Sequence, residues 1–175
     1  GESATDVIGW QQVDLMTHNP VNANLKDIWN WMFAGVNRSA YILEFKDKIE
    51  FDGKAQIIAE ARFLHAYYNF ELVKWFGGIP LKGDERFGLG DELVIPRSSV
   101  EEVYASINSD LEKSFSLLTG KARSDKSHFN ANVVRGLMAR VALVQEKYTD
   151  AATYAKEARQ GFGLMTNTQY KSGFN

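Results

Sequence analysis

Three residues invite a chemical reading first: Arg62, His65 and Asn69, spaced three and four apart within EARFLHAYYNFELVKWFGGIPL, residues 60–81. On a helix those steps place all three on one side, and the residues around them make that side apolar. A guanidinium buried there without a counter-charge would cost several kcal/mol. The trio therefore predicts a structural polar seam, with a carboxylate or carbonyl closing on Arg62. Glu44, Asp47 and Asp110 are the candidate partners.

Catalytic chemistry finds little footing. His18, His65 and His128 are far apart in sequence, and no His-Glu-x-x-His, Gly-x-Ser-x-Gly or phosphate-loop pattern occurs. The glycine-bearing stretch 82–96 lacks the preceding strand and following helix that a dinucleotide site needs. Glu101 and Glu102 fall on a first helical turn, where they complement the dipole. Asp84, Glu85, Asp91 and Glu92 could offer oxygens to calcium, but a solvated acidic loop is the expected state. The expectation is no enzymatic activity, no metal and no cofactor. The chain has no cysteine, which removes disulfides, thiol catalysis and Cys-ligated zinc. Its net charge is −2, with Lys and Arg spread along it, so it has no basic face for nucleic acid. Charges break every long apolar run, so none spans a bilayer as a helix.

The elements that must position these residues are helical. Ile28, Trp29, Met32, Phe33, Val36, Ala40 and Leu43 recur at steps of three and four, predicting a helix from Lys26 to about Phe45. The seam sits on the next helix, Lys54 to Phe76, stopped by Gly77, Gly78 and Pro80. Apolar residues cover most of its circumference, so it must be packed on two or three sides. A long loop, Lys82 to Pro96, follows. Ser99 and Glu102 have capping-box spacing and open a further helix. Asn130 or Asn132 caps a fourth, about Ala131 to Glu146, and a fifth runs from about Ala151 to Gln160. Ala139, Ala151, Ala155 and Ala158 fall where these last two must approach, as in a tetratricopeptide hairpin. The fold class is therefore all-α, built from tetratricopeptide-like stacked helical hairpins in an alpha-alpha superhelix. The segment 1–24, with THNPVNANL, reads as a loop-rich leader.

The segment from Glu60 to Leu81 resembles the signature of the SusD/RagB family of outer-membrane nutrient-binding lipoproteins from Bacteroidetes. In that signature a Glu-Ala-Arg-Phe-Leu-Arg run leads an aromatic helix closed by a Phe-Gly-acidic-x-Pro-Leu turn. WNWMFAGVNRSAYIL, IPRSSVEEVYASINSDLEKS and ARVALVQEKYTDAATYAKEA are similar to flanking helices in the family's order. His65 stands in place of the family's second arginine, Asn69 of an aromatic, Gly78 of an acidic residue and Ala40 of an asparagine.

The resemblance implies cell-surface binding of an oligosaccharide or other nutrient, and its delivery to a TonB-dependent (SusC-like) transporter in the outer membrane. Family members are longer, so residues 1–175 are expected to form a single helical domain, the N-terminal portion of a larger protein. A lipid anchor would attach to a cysteine upstream of Glu2, and the opening Gly1 would be a trimmed start. Sugar recognition needs flat aromatic faces with amide or charged groups in reach of hydroxyls. Trp10, His18, Asn19, Asn22 and Asn24 offer that combination in a segment placed in loop, and are the candidate ligand residues. Trp29, Trp31 and Trp75 are assigned to core packing or transporter contact. The alternative is a cytoplasmic tetratricopeptide-type adaptor for a peptide or protein partner.

Overall fold

The computed structural model describes residues 4–91, 95–121 and 127–173, and every element in them is a helix: α1 (Ala4–Asp14), α2 (Ala23–Phe45), α3 (Lys54–Phe76), α4 (Val100–Leu118), α5 (Ala131–Val144), α6 (Tyr148–Ala158) and α7 (Asn167–Ser172). The chain divides into two compact units, 1–118 and 119–175.

In the first unit α3 packs against both α2 and α4, as its all-round apolar surface requires. Ala59, Ala61, Ala66, Phe70, Leu72 and Val73 are buried on α3, facing Val36, Ala40 and Leu43 of α2 and Val103, Ile107 and Leu111 of α4. Gly35 marks the close approach of α2 to α3, since a Cβ there would stand 2.5 Å from the ring of Tyr68. On the other side the Ser114 hydroxyl donates to the Ala59 carbonyl at 2.7 Å. Gly53 and Gly77, at φ 84° and 68°, bracket α3 in conformations that glycine adopts without penalty. The Gly77 N–H closes the last turn on the Val73 carbonyl.

The leader is not loop-rich. Residues 4–14 form α1, and Trp10 lies on that helix rather than in a loop. Ile8, Trp10 and Val13 do not share one helical face, so there is no amphipathic period to read; α1 is held by tertiary bonds instead. The buried Asn22 side chain donates to the Gly9 carbonyl at 3.1 Å and to Gln12 Oε1 at 3.2 Å. Its oxygen accepts from the backbone N–H of Asn24 and Leu25, capping α2 three residues earlier than the periodicity indicates.

The Ser99–Glu102 capping box opens α4 as expected, with Glu102 N–H donating to Ser99 Oγ and Ser99 N–H to Glu102 Oε2. In the second unit Asn130, not Asn132, caps α5. Asn132 reaches across the hairpin and donates to the carbonyls of Ala158 and Gln160 at 3.0 Å each, closing the far end of α6. Glu146 takes a left-handed φ of 59°, which stops α5 at Val144, and α6 then starts at Tyr148 rather than Ala151. Ala142 and Ala151 are the buried alanines of this hairpin, whereas Ala155 is exposed. A Thr166–Gln169 capping box opens α7, an element that the helical pattern did not announce.

Candidate functional site

The polar seam forms around Arg62, whose side chain is 6% exposed. Its Nη1 and Nη2 donate to the two oxygens of Asp84 at 2.8 Å each, a bidentate pair, and Nη1 also donates to Asp110 Oδ1 at 2.6 Å. Asp110 Oδ2 lies 2.6 Å from His65 Nδ1. A carboxylate only accepts, so Nδ1 carries the proton. The Asn69 amide nitrogen stands 3.5 Å from each of the two ring nitrogens of His65. Arg62, His65, Asn69 and Asp110 are all buried.

Asp110 was among the expected partners of Arg62; Glu44 and Asp47 were too, but they pair elsewhere, with Arg86 at 2.7 Å and Lys46 at 3.5 Å. Asp84 was missed, because a loop residue carries no helical period to place it. Burial opposes ionisation of Asp84, yet hydrogen bonds from Arg62 and Lys46 outweigh it and hold the carboxyl well below the usual range. For Arg62 burial likewise acts against the charge, and the two aspartates overcome it, raising its pKa.

Asp84 begins a docked loop, not a solvated acidic one. Arg86 donates to Glu44 and stands over the Tyr41 ring at 4.6 Å. The Asn37 amide grips the backbone of Phe87 from both sides, accepting from its N–H at 2.7 Å and donating to its carbonyl at 3.2 Å. Lys82 donates to Asp91 at 2.8 Å. Asp84 and Asp91 thus already face cations; Glu92 lies outside the described residues. Among the described residues no cluster of His, Asp and Glu could hold a metal ion.

Next to this scaffold is an open depression of about 810 Å³, lined by residues that include His18, Asn19, Lys74, Trp75, Phe76 and Arg97. His18 and Asn19 come from the turn after α1, Trp75 from the end of α3, and Arg97 from the stretch before α4. Trp75 is 47% exposed, so its ring is available as a flat apolar face. His18 Nδ1 is buried and has no hydrogen-bond partner among the described residues. Asn19 Oδ1 accepts from the Val21 N–H at 3.1 Å in an Asx turn, which leaves its amide N–H free to face outward.

The five candidate ligand residues therefore separate. His18 and Asn19 share the depression. Asn22 is a buried cap, and its polar atoms are spent on backbone and Gln12. In the one amide orientation that satisfies both sides, Asn24 accepts from Trp10 Nε1 at 3.0 Å, so these two serve each other. Trp75 and Arg97 line the same depression; the sequence assigns Trp75 to core packing or transporter contact and does not mark Arg97. The signal that could have found Trp75 was its place as the last wettable position before the Gly77-Gly78 stop. Core packing describes Trp29, which meets Phe33 and Phe76 at ring-centre distances of 4.6 and 5.1 Å. It does not describe Trp31 or Trp75, which are 64% and 47% exposed.

A second hollow, about 320 Å³, lies between α2 and the docked loop, lined by Trp29, Asn30, Phe33, Asn37, Pro80 and Phe87 among others. The Phe87 ring meets Phe33 edge-on at 5.4 Å. Asn37 is consumed by the backbone clamp, so this hollow is mainly aromatic.

A protein-family model described as starch-binding and associating with the outer membrane, SusD-like, matches residues 2–143. A SusD-like protein of Formosa agariphila is 27% identical over 141 residues, which is 79% of this chain and 27% of that protein. A laminarin-binding SusD-like protein superposes with a TM-score of 0.81 at 25% identity, over 95% of this chain and 36% of its own. A SusD-like protein of Bacteroides fragilis does so with a TM-score of 0.76 at 28% identity, over 89% and 32%. The chain spans between 27% and 36% of the length of these relatives.

Proposed function

The chain belongs to the SusD-like family, and from that premise we propose that it binds an oligosaccharide at the cell surface and presents it to a TonB-dependent transporter of the outer membrane. It acts as the N-terminal helical portion of a longer lipid-anchored protein. The observation that carries the binding role is the depression lined by the half-exposed Trp75 together with His18, Asn19 and Arg97. A pyranose packs its C–H face on such a ring, while polar groups at the rim meet its hydroxyls.

Binding rather than cleavage is favoured by the lining itself. General acid–base hydrolysis of a glycosidic bond uses two carboxyl groups, and Asp14 is the one carboxylate among the residues that line the depression. The family match over residues 2–143 favours the surface role over a cytoplasmic adaptor. Among the described residues no helix is long and apolar enough to cross a membrane, and attachment through a lipid is consistent with that.

The test is equilibrium binding of the chain to a panel of oligosaccharides that includes laminarin fragments. Trp75→Ala should lower affinity by about tenfold or more, as expected for an aromatic anchor, with no change in the far-UV circular dichroism. Failure of the whole panel to bind, or a Trp75→Ala variant that binds as well as the parent, overturns the reading. Delivery is tested separately by co-purification of the intact protein with its transporter.

A further inference from the structure

We propose that the glycan taken by this depression is acidic, and that Arg97 receives its carboxylate or sulfate. The inference rests on the glycan-binding reading and adds the chemistry of the ligand. Arg97 is positioned by the fold. Both hydrogens of its Nη1 are committed to main-chain carbonyls at the end of α3, those of Phe76 at 3.0 Å and Gly78 at 3.1 Å. The guanidinium also stands 5.5 Å from the centre of the Trp29 ring. What remains is the edge formed by Nε and Nη2, the side-on fork that matches two oxygens of a carboxylate or sulfate.

That edge has no acid of its own. Arg62, Arg86 and Arg135 each pair with a carboxylate of this chain, at 2.6 to 2.8 Å. Among the described residues Arg97 makes no ion pair, although its guanidinium is exposed at the wall of a large depression. The other cation of the lining, Lys74, is answered by Glu71 at 2.8 Å. Asp14, the acid of the lining, forms no ion pair with Arg97 either and stands as the one group opposing an anion there. His18 lines the same depression as Arg97, but its unpartnered Nδ1 is buried, so the guanidinium edge is the group offered to an anion. A guanidinium already tethered by two backbone bonds loses little freedom when an anion arrives, so the charge-assisted pair is gained at low entropic cost.

The experiment compares matched ligands on the same protein: uronic-acid oligosaccharides with their methyl esters, and sulfated oligosaccharides with their desulfated forms. Laminarin fragments serve as the neutral reference. The acidic member of at least one matched pair should bind about tenfold tighter or better, with the gap narrowing as salt is raised. Which pair shows the gap tells carboxylate from sulfate. Arg97→Gln should shrink the acidic-to-neutral ratio towards one, and Arg97→Lys should retain part of it. If neutral members bind as tightly as acidic ones, or Arg97→Gln weakens both equally as the loss of a helix cap would, the inference is overturned while glycan binding stands. If no glycan of either kind binds, both fall together.

Discussion

Replacing Arg62 with methionine tests the seam on which the first unit is built. Asp110 is 7% exposed, and its two oxygens are held at 2.6 Å by Arg62 and at 2.6 Å by His65. Removing the guanidinium leaves that carboxylate buried with half of its partners gone, a change that costs about 3–5 kcal/mol. The Asp84 half adds little. Its side chain is 34% exposed and keeps Lys46 at 3.0 Å, so solvent and lysine make good most of the loss, about 1 kcal/mol or less. Against a domain stability of about 5–15 kcal/mol the variant should lose roughly a fifth or more, a fall in Tm on the order of 10 °C. All four tryptophans lie within residues 1–118, so their fluorescence in a urea titration follows this unit selectively. The companion variant Arg62→Met/Asp110→Asn removes the buried charge as well, while its amide oxygen still accepts from His65. It should recover about 2 kcal/mol relative to Arg62→Met alone. A single variant that loses less than about 1 kcal/mol, or a double variant less stable than the single, would refute the reasoning that an uncompensated buried ion is what the seam prevents.

Gly78→Asp places a Cβ where it would collide with the Ser98 carbonyl oxygen; a loss of about 2 kcal/mol or more in urea unfolding is expected. Asn22→Ala should cost about 1–2 kcal/mol through the lost α2 cap, and hydrogen exchange should show residues 8–14 exchanging faster, because α1 loses the two bonds from Asn22 and keeps only those from Asn24. The pH dependence follows from Asp84, whose carboxyl is held below its ordinary 3.8 in the folded chain. As pH falls the unfolded chain takes up this proton first, so the stabilisation is present above about pH 4 and is lost as pH drops through the folded value. The urea midpoint should fall in that acid range, and fall less in Asp84→Asn; identical acid limbs would contradict the assignment.

How far the fold could be read in the sequence depended on whether a residue's role was local. Periodicity and stop signals placed α3 at Lys54–Phe76, because a helix packed on several sides and ended by Gly77-Gly78 writes both facts into neighbouring positions. The Ser99–Glu102 box was legible for the same reason, its two bonds lying within one turn. α1 was not legible: its anchoring comes from Asn22 and Asn24 across a turn, and side-chain amides there look the same whether they cap, tether or face solvent. Asp84 was read as a solvated acid because nothing in its own segment shows that Arg62, 22 residues earlier, will face it. The site split along the same line. His18 and Asn19 lie close in sequence within one turn, whereas Trp75 and Arg97 line the same depression only through the crossing of two chain segments.

That crossing also connects the family pattern to the depression. Residues 76–79 and 97–99 run so close that Ser98 N–H bonds the Ile79 carbonyl at 2.9 Å and no side chain fits at position 78. The same closeness brings Arg97 within reach of the Phe76 and Gly78 carbonyls, which fixes its guanidinium at the wall. A residue larger than glycine at 78 would have to push the segments apart, and Arg97 would then lose the bonds that orient it. Gly78 at this crossing therefore lets the positive charge of Arg97 be held at the wall of the depression. On this argument Gly78→Ala, which adds bulk without charge, should already weaken acidic-glycan binding through displacement of Arg97, and a variant that binds acidic glycans as the parent does would separate the crossing from the site.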